Sequence, residues 1–471
     1  MLNQTLQEKY PHLEISVLKL SEVQKDNESK RIDSEFFKKE YFDAMETMQL
    51  NQVEYLGDNM KFNSRYSQPK YGETSKIKVI NSQYIRNEYI DYENAKSGYG
   101  KIVPKESVLI NATGVGTLGR VFINILDFDF SIDSHINVIV VKNKTYLNPY
   151  FLAIFLQSYY GQIQIIRYYS GTSGQIEIYP RDFNYFKIPI FPMEFQLEIQ
   201  TLVKDSYKAL EESKELYKKA EEALYLELGL YPKNPLQSLL DSKTNNPTKS
   251  LNISIRTLKE SFLKTGRLDS EYYQSKYEDI EKFIKSYPNG YDSFSSIIDN
   301  KDTNFTPKNN ENYSYIELAN IGNNGNISEP ISDLGKNLPT RARRIVSKGD
   351  VIISSIEGSL SSCALITQEF DKHLVSTGFF VLNSKLLNGE TLLVMFKSQI
   401  FQEYLKKFPS GTILCAINKE ELSKILIPTI DPTTQEKIAK YIQESFNLRK
   451  KSKQLLDNAK IKVEEQIQGK V

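Results

Sequence analysis

Two stretches of this 471-residue chain carry one and the same heptad seam, and nothing else constrains its fold as strongly. From Phe195 to about Leu228 there is neither proline nor glycine, and the run stops at Gly229 with Pro232 just beyond. Read in steps of four and three, one stripe collects Phe195, Ile199, Leu202, Ser206, Ala209, Ser213, Leu216, Ala220 and Ala223. Adding 239 to each number gives Thr434, Ile438, Tyr441, Ser445, Leu448, Ser452, Leu455, Ala459 and Lys462. Apolar or small residues at this spacing, with Lys and Glu on the other faces, specify a helix–helix seam. About 35 residues at 1.5 Å each span about 50 Å, longer than a small domain needs. The two helices are therefore expected to pair with each other, through Ile199, Leu202, Ala209, Leu216 and Ala220 on one and Ile438, Tyr441, Leu448, Leu455 and Ala459 on the other. The alternative is that each covers its own domain. Lys462 stands where the seam expects an apolar residue.

The repeat extends over each half of the chain. Arg31-Ile32-Asp33-Ser34-Glu35-Phe36-Phe37 returns as Arg267-Leu268-Asp269-Ser270-Glu271-Tyr272-Tyr273, and Tyr41 and Asp43 return as Tyr277 and Asp279. A short helix is expected after each motif, with Asp33 or Asp269 as its cap. Strand-like alternation follows over 76–84, 107–110, 120–125 and 135–141, and over 313–319, 350–354, 364–368 and 378–382. Helices are expected at 149–159, with Asn148 as cap and Pro149 in the first turn, and at 389–401. Then come Ser170-Gly171-Thr172 or Ser410-Gly411-Thr412, and an Ile-Pro exit (Ile188-Pro189, Ile427-Pro428) with Gln196 or Gln435 behind it. The spacing divides the chain into a globular half 1–192, a long helix 193–230, a Pro/Asn/Ser-rich linker 231–252, a second globular half 253–430 and a second long helix 431–471. The fold class is α+β: two mixed α/β domains separated by two long antiparallel helices in a pseudo-two-fold arrangement.

A net charge of +1 excludes a globally basic coat, so any nucleic-acid surface is a local patch balanced by acid elsewhere. Two cysteines without a spacing motif, Cys363 and Cys415, fit a reduced cytoplasmic protein with no metal site. The N-terminus lacks an apolar signal core, and the longest apolar run, 150–156, is too short to span a bilayer, so no membrane role is expected.

No catalytic constellation emerges. His12, His135 and His373 are far apart and outside any metal-ligand pattern, and there is no phosphate loop, HExxH or dinucleotide fingerprint. Gly114-Val115-Gly116-Thr117-Leu118-Gly119-Arg120 reads as a tight turn between strands that could also bring Arg120 to a DNA backbone. The basic residues in loop-like stretches are the candidate DNA contacts. In the first half they are Arg65, Lys70, Lys76, Arg86, Arg120, Arg167 and Arg181. In the second they are Lys308, Arg341, Arg343, Arg344, Lys348 and Lys372, with Arg341-Ala342-Arg343-Arg344 the densest patch. Arg bonds guanine edges bidentately, and both Lys and Arg neutralise phosphates.

The duplicated plan, the RIDSEFF and RLDSEYY motifs, the Ser-Gly-Thr loop and the Ile-Pro exits into long charged helices together resemble the specificity subunits of type I restriction-modification systems. The resemblance implies that each globular half is a target recognition domain reading one half of a bipartite, asymmetric site in double-stranded DNA. It implies that the helices are a spacer that docks two methyltransferase (modification) subunits, to which restriction-translocase subunits add. It also implies that the chain is no enzyme and binds no cofactor, with S-adenosylmethionine and ATP on the partners. At about 3.4 Å per base pair, a spacer of about 50 Å bounds the half-site separation at roughly 15 base pairs. Alternatives are the specificity subunit of a related type II-like system, a stand-alone methyltransferase or nuclease, and a coiled-coil adaptor that binds only proteins.

Overall fold

The computed structural model describes residues 2–13, 15, 17–25, 27, 30–171, 174–241, 255–411 and 415–470. Thr172 and Thr412 of the repeated Ser-Gly-Thr loop, and residues 242–252 of the expected linker, lie outside the described residues. The chain divides into two units, Met1–Glu211 with Arg449–Val471, and Glu212–Leu448. The division falls inside both long helices, Met193–Glu227 and Pro432–Ile467, so each unit owns one part of each.

In unit 1 the strands are β1 (Val53–Tyr55), β2 (Met60–Arg65), β3 (Lys70–Tyr71), β4 (Lys78–Ile80), β5 (Lys96–Tyr99), β6 (Val108–Asn111), β7 (Val121–Ile123), β8 (Phe130–Ile132), β9 (Ile136–Val141) and β10 (Lys187–Pro189). One sheet is antiparallel in the order β2-β9-β6-β7. A second has the order β3-β5-β4-β8, with β4 and β8 parallel, and β1 pairs with β10 alone. Strand alternation divides the first sheet's side chains between two cores. Val108, Ile110, Val121, Ile123 and Ile139 face the helix Pro149–Gln157, whereas Leu109, Phe122 and Val138 face Ile80, Phe130 and Ile132 of the second sheet. The result is three layers, helix on sheet on sheet.

Unit 2 repeats this with β11 (Tyr291–Ser293), β12 (Ile298–Asn300), β13 (Asn312–Ile316), β14 (Ile331–Leu334), β15 (Ala342–Ile345), β16 (Val351–Ser354), β17 (Cys363–Leu365), β18 (Leu374–Ser376), β19 (Phe379–Ser384) and β20 (Leu426–Pro428). The order β12-β19-β16-β17 matches β2-β9-β6-β7, and the parallel pair β13–β18 matches β4–β8. Val351 and Ile353 face the helix Gly389–Lys397, and Ile352 faces the other way.

Several expected elements are shorter or differently placed. The helices expected at 149–159 and 389–401 end at Gln157 and Lys397; extended Ser158 and Ser398 start new helices, Tyr159–Tyr168 and Gln399–Leu405. Asp33 and Asp269 cap the turn directly behind them, accepting from Phe36 N (3.2 Å) and Tyr272 N (3.0 Å), rather than the helices that begin at Lys39 and Ser275. Within the expected linker, Pro235–Asp241 is helical and Leu239 enters the core of unit 2.

In unit 1 the two long helices run antiparallel: Glu198 meets Lys462 (2.7 Å) and Ser206 meets Ser452 (3.0 Å). In unit 2 Ser213 meets Ser445 (3.0 Å), and Thr434 donates to Glu227 (2.8 Å). The buried stripe is Gln196, Ile199, Val203, Ser206, Leu210, Ser213, Tyr217, Ala220 and Leu224, and its counterpart includes Ile438, Ile442, Ser445, Ser452, Leu456, Ala459 and Val463. Of the seam residues read from sequence, Ile199, Ala209, Ala220, Ile438 and Ala459 are buried. Leu202, Leu216, Tyr441, Leu448 and Leu455 are half-buried flanks, each one position before the stripe. The stripe takes Val463, leaving Lys462 at the rim on Glu198. Apolar neighbours such as Leu202-Val203, Tyr441-Ile442 and Leu455-Leu456 satisfy a heptad in either register, so periodicity alone does not choose between them.

Candidate nucleic-acid interface

The repeated motifs meet at one node in each unit. Arg31 grips Asp33 through two hydrogen bonds of 2.7 Å and also donates to the carbonyls of Arg167 (3.1 Å) and Tyr169 (2.8 Å). Arg267 grips Asp269 and donates to the carbonyls of Phe408 (3.1 Å) and Pro409 (2.7 Å). The motif therefore ties down the end of a helix immediately before the Ser-Gly-Thr loop. Ser170 then pairs with Glu177, and Ser410 with Ala416. Gly171 has φ 114° and Gly411 φ 131°, which explains why glycine is the middle residue of both triplets. The exit glutamines have an equally definite task. Gln196 accepts from Asn148 N (2.7 Å) and donates to the carbonyls of Tyr146 (3.0 Å) and Phe191 (2.8 Å). Gln435 does the same with Asn388 N, Leu386 and Ile430. Asn148 and Asn388 cap the following helices.

On this frame, loops gather where β2, β6 and β8 end and β7 and β9 begin in unit 1. Ala112 N bonds His135 O (2.9 Å), Gly114 N bonds Ile176 O (3.0 Å), Asn111 donates to Ser82 O (2.7 Å), and Ser134 donates to Gln68 (3.0 Å). His135 is exposed there, on Thr113 (3.0 Å). In unit 2 the same end is built by Ser355 N on Gly378 O (2.9 Å) and Glu357 N on Cys415 O (3.0 Å). Among the described residues, no group of three His, Cys, Asp or Glu side chains could hold a metal ion, and no helix is long and apolar enough to cross a membrane.

The expected DNA contacts sort into three kinds. Lys70, Lys76, Arg341, Lys348 and Lys372 are exposed. Lys70 lies on β3 opposite Tyr99 of β5; Tyr71, Lys96 and Tyr99 share that exposed ribbon, a cation–aromatic alternation also visible in the segment Lys96-Ser97-Gly98-Tyr99. Lys348 and Lys372 belong to adjoining turns, with Lys348 N on Asp371 (3.0 Å) and Lys372 N on Val346 O (2.9 Å). A second kind is exposed or half-buried and holds nearby protein groups. Arg86 and Arg120 donate to loop carbonyls, Arg181 lies near Asp182 (3.9 Å), Lys308 pairs with Glu311 (2.7 Å), and Arg343 donates to Thr340 O (2.9 Å).

The third kind is structural, and here the structure corrects the sequence reading. Arg65 is bonded to Glu177 and to Ile178 O, fastening β2 to the segment behind the Ser-Gly-Thr loop. Arg344, half-buried beside a bulge between Ala342 and Arg344, is committed to Phe379 O; burial lowers its pKa, partly offset by Asp302. The Arg341–Arg344 run is therefore not one continuous patch. Arg167 is buried between the rings of Phe36 (4.0 Å) and Tyr41 (3.8 Å) and meets no surface. Those rings come from a motif more than a hundred residues earlier, so no local pattern reveals the cage.

Comparison with known proteins bears on this arrangement. The specificity subunit of the type I restriction enzyme HindI from Haemophilus influenzae is 29% identical over 132 residues, which cover 27% of this chain and 28% of that protein. The match thus spans less than a third of that relative. A crystal structure of the type I restriction-modification S subunit from M. genitalium is 12% identical with TM-score 0.42, covering 88% of this chain and 95% of that one. The HsdS subunit from Thermoanaerobacter tengcongensis is 15% identical with TM-score 0.27, covering 89% and 97%. The family model for the type I restriction modification DNA specificity domain matches twice, at residues 43–222 and 295–458, one match on each copy of the repeat. The two matches take in well over half of the sequence, and the chain belongs to the type I restriction-modification DNA specificity family.

Proposed function

We propose that this chain is the DNA-reading subunit of a type I restriction-modification assembly. Each unit reads one half of a bipartite target through its loop end. The long helices dock two methyltransferase subunits, and a restriction-translocase adds to that core. The observation that carries this reading is a frame repeated residue for residue, from the arginine–aspartate grip to the exit glutamine, beneath loop ends whose residues differ. A kept frame with changed tips is what two half-sites of unlike sequence require. Methyl transfer and cleavage then belong to the partners, where S-adenosylmethionine and ATP bind. This chain's share is to hold the duplex in register through phosphate contacts and to select sequence through base edges.

The test is a methylome. The chain is co-expressed with the methyltransferase encoded beside it, in a host lacking both, and modified bases are read genome-wide. A bipartite motif with a fixed gap, present only with this chain, is the expected result. A single contiguous motif, or modification that ignores the chain, defeats the proposal.

A further inference from the structure

We infer that Arg86 and Arg120 form a clamp for one backbone phosphate of DNA, beside the glycine loop of unit 1. This rests on the DNA-reading proposal and names where in unit 1 the backbone is gripped.

The geometry is unusual for two cations. Arg86 Nη1 and Arg120 Nη1 both donate to the carbonyl oxygen of Ile85, at 3.2 and 3.3 Å. A shared acceptor keeps the two nitrogens within about 6.5 Å of each other, a distance at which like charges repel. Burial lowers the pKa of Arg120, and the charge of Arg86 lowers it further, while Glu88 opposes both. Yet Glu88 is exposed and makes no hydrogen bond to either guanidinium among the described residues. The remaining bonds all go to carbonyls: Arg86 to Gln83 O, and Arg120 to Gly116 O (2.7 Å). Each guanidinium carries five N–H donors, so most are left for a ligand. Two half-buried guanidiniums held together by carbonyls, with no carboxylate bonded to them, leave room for an anion with several oxygens.

The loop beside them fits a nucleic-acid backbone rather than a small anion. Gly114, Gly116 and Gly119 have φ of 90°, 79° and 82°. A Cβ on Gly116 would meet nothing within 4 Å, so this tip is open. Val115, 68% exposed, projects from it. Arg120 fixes the tip through Gly116 O, so one side chain both shapes the loop and offers charge beside it. In unit 2 the corresponding segment is a short turn, Glu357–Ser359, with an acidic residue and no arginine, which confines the clamp to unit 1.

The experiment uses the chain assembled with its methyltransferase and a duplex carrying the motif from the methylome. Anisotropy titrations run from low to moderate KCl. The double variant R86Q/R120Q is expected to bind about ten-fold more weakly at low salt, with a slope of log K against log salt shallower by about one. Its methylation motif should be unchanged. R86K/R120K keeps the charge and should keep the slope, while losing part of the affinity to the missing forks. Where R86Q/R120Q fails to assemble, the wild-type complex is titrated against duplexes carrying one neutral methylphosphonate at each backbone position in turn. A sharp loss at a position within the half-site of unit 1 is expected, and R86K/R120K should depend on that position less steeply. A double variant with wild-type affinity and slope, or a uniform methylphosphonate scan, overturns the clamp and leaves DNA reading intact. A wild-type complex that binds no duplex overturns both.

Discussion

Arg167 in unit 1 and Lys407 in unit 2 stand at equivalent places, one residue before Tyr168 and Phe408, and they live differently. Lys407 lies on the ring of Tyr272 (5.0 Å) and is paired with Glu281, which also accepts from Tyr404 (3.2 Å). Arg167 lies between Phe36 and Tyr41, and its Nε and Nη1 find no hydrogen-bond partner. Met45 occupies the helix position that Glu281 takes in unit 2, and it is buried. One copy neutralises its cation with a carboxylate; the other surrounds it with aromatic faces. By contrast the arginine–aspartate grip, the exit glutamines and the asparagine caps recur in both. What the copies share are bonds that satisfy buried backbone, for which few substitutes exist. Where they diverge, more than one chemistry fills the space.

If that contrast is sound, the largest and most nearly equal losses come from the exit glutamines. Gln196 is fully buried and Gln435 nearly so, and each satisfies one backbone N–H and two carbonyls. Replacing either by Leu should cost about 3 kcal/mol, because unsatisfied buried groups cost about 1–3 kcal/mol each and relaxation recovers some of it. Urea unfolding of the full chain measures this. Losses differing several-fold between the two variants would mean that the shared geometry is not shared energetics. The cage position should split instead. Lys407→Met strands Glu281 and should cost about 2 kcal/mol, whereas Arg167→Met removes a cation that has no carboxylate and should stay within about 1 kcal/mol of neutral. A larger loss at Arg167 would show that the aromatic faces supply more than packing.

The seam offers a finer comparison. Ser206 with Ser452, and Ser213 with Ser445, are buried hydroxyl pairs, and the offset of 239 converts each pair into the other. A single Ser→Ala change should cost about 1 kcal/mol, and the double change within a pair little more than the single one, since removing both partners leaves neither unsatisfied. Additive losses would mean that the hydroxyls serve the backbone carbonyls they also contact rather than each other.

How much of this was legible in the sequence depends on whether the information is local. The serines, the glutamines and the arginine–aspartate motif are visible as a repeat, because a residue fixed by backbone geometry recurs wherever that geometry does. The seam was readable at every second position; at many of the others two apolar residues stand side by side, and only the packed helices choose Val203 over Leu202. Strands β1, β3, β5 and β8 carry two to four residues each, too few for alternation to register. Arg167 could not be recognised as structural, because its partners arrive from Phe36 and Tyr41. Arg344 could not be told from the other arginines of its run, because the carbonyl that holds it belongs to Phe379, 35 residues on.

The smallest effect should come from the motif aspartates, and its sign follows from their pKa values. Asp33 is held below its ordinary value by its hydrogen bonds to Arg31. At Asp269 burial is the largest influence and pushes upward, but the hydrogen bonds from Arg267, the Tyr272 N–H and the Arg267 charge together outweigh it, so this value also falls. A carboxylate whose folded pKa is depressed adds stability above its unfolded pKa, and that stability disappears as pH falls through the folded value. The unfolded reference is 3.8, so both grips are intact near pH 5 and weaken only below about pH 4. Both aspartate side chains are nearly half exposed, at 46% and 45%, so solvent screening keeps the contribution small. Asp33→Asn and Asp269→Asn should therefore leave part of the grip at neutral pH and flatten the loss of stability between pH 4 and pH 2.5. The two halves are distinguishable here. Arg267 is more buried than Arg31 and also lies 3.9 Å from Glu421, a second carboxylate for which Arg31 has no counterpart among the described residues. Glu421 can keep Arg267 partly compensated when Asp269 is lost, so Asp33→Asn should flatten the acid limb more than Asp269→Asn. The reverse order in acid-unfolding midpoints would mean that burial of Arg267, not the number of its carboxylates, governs the grip.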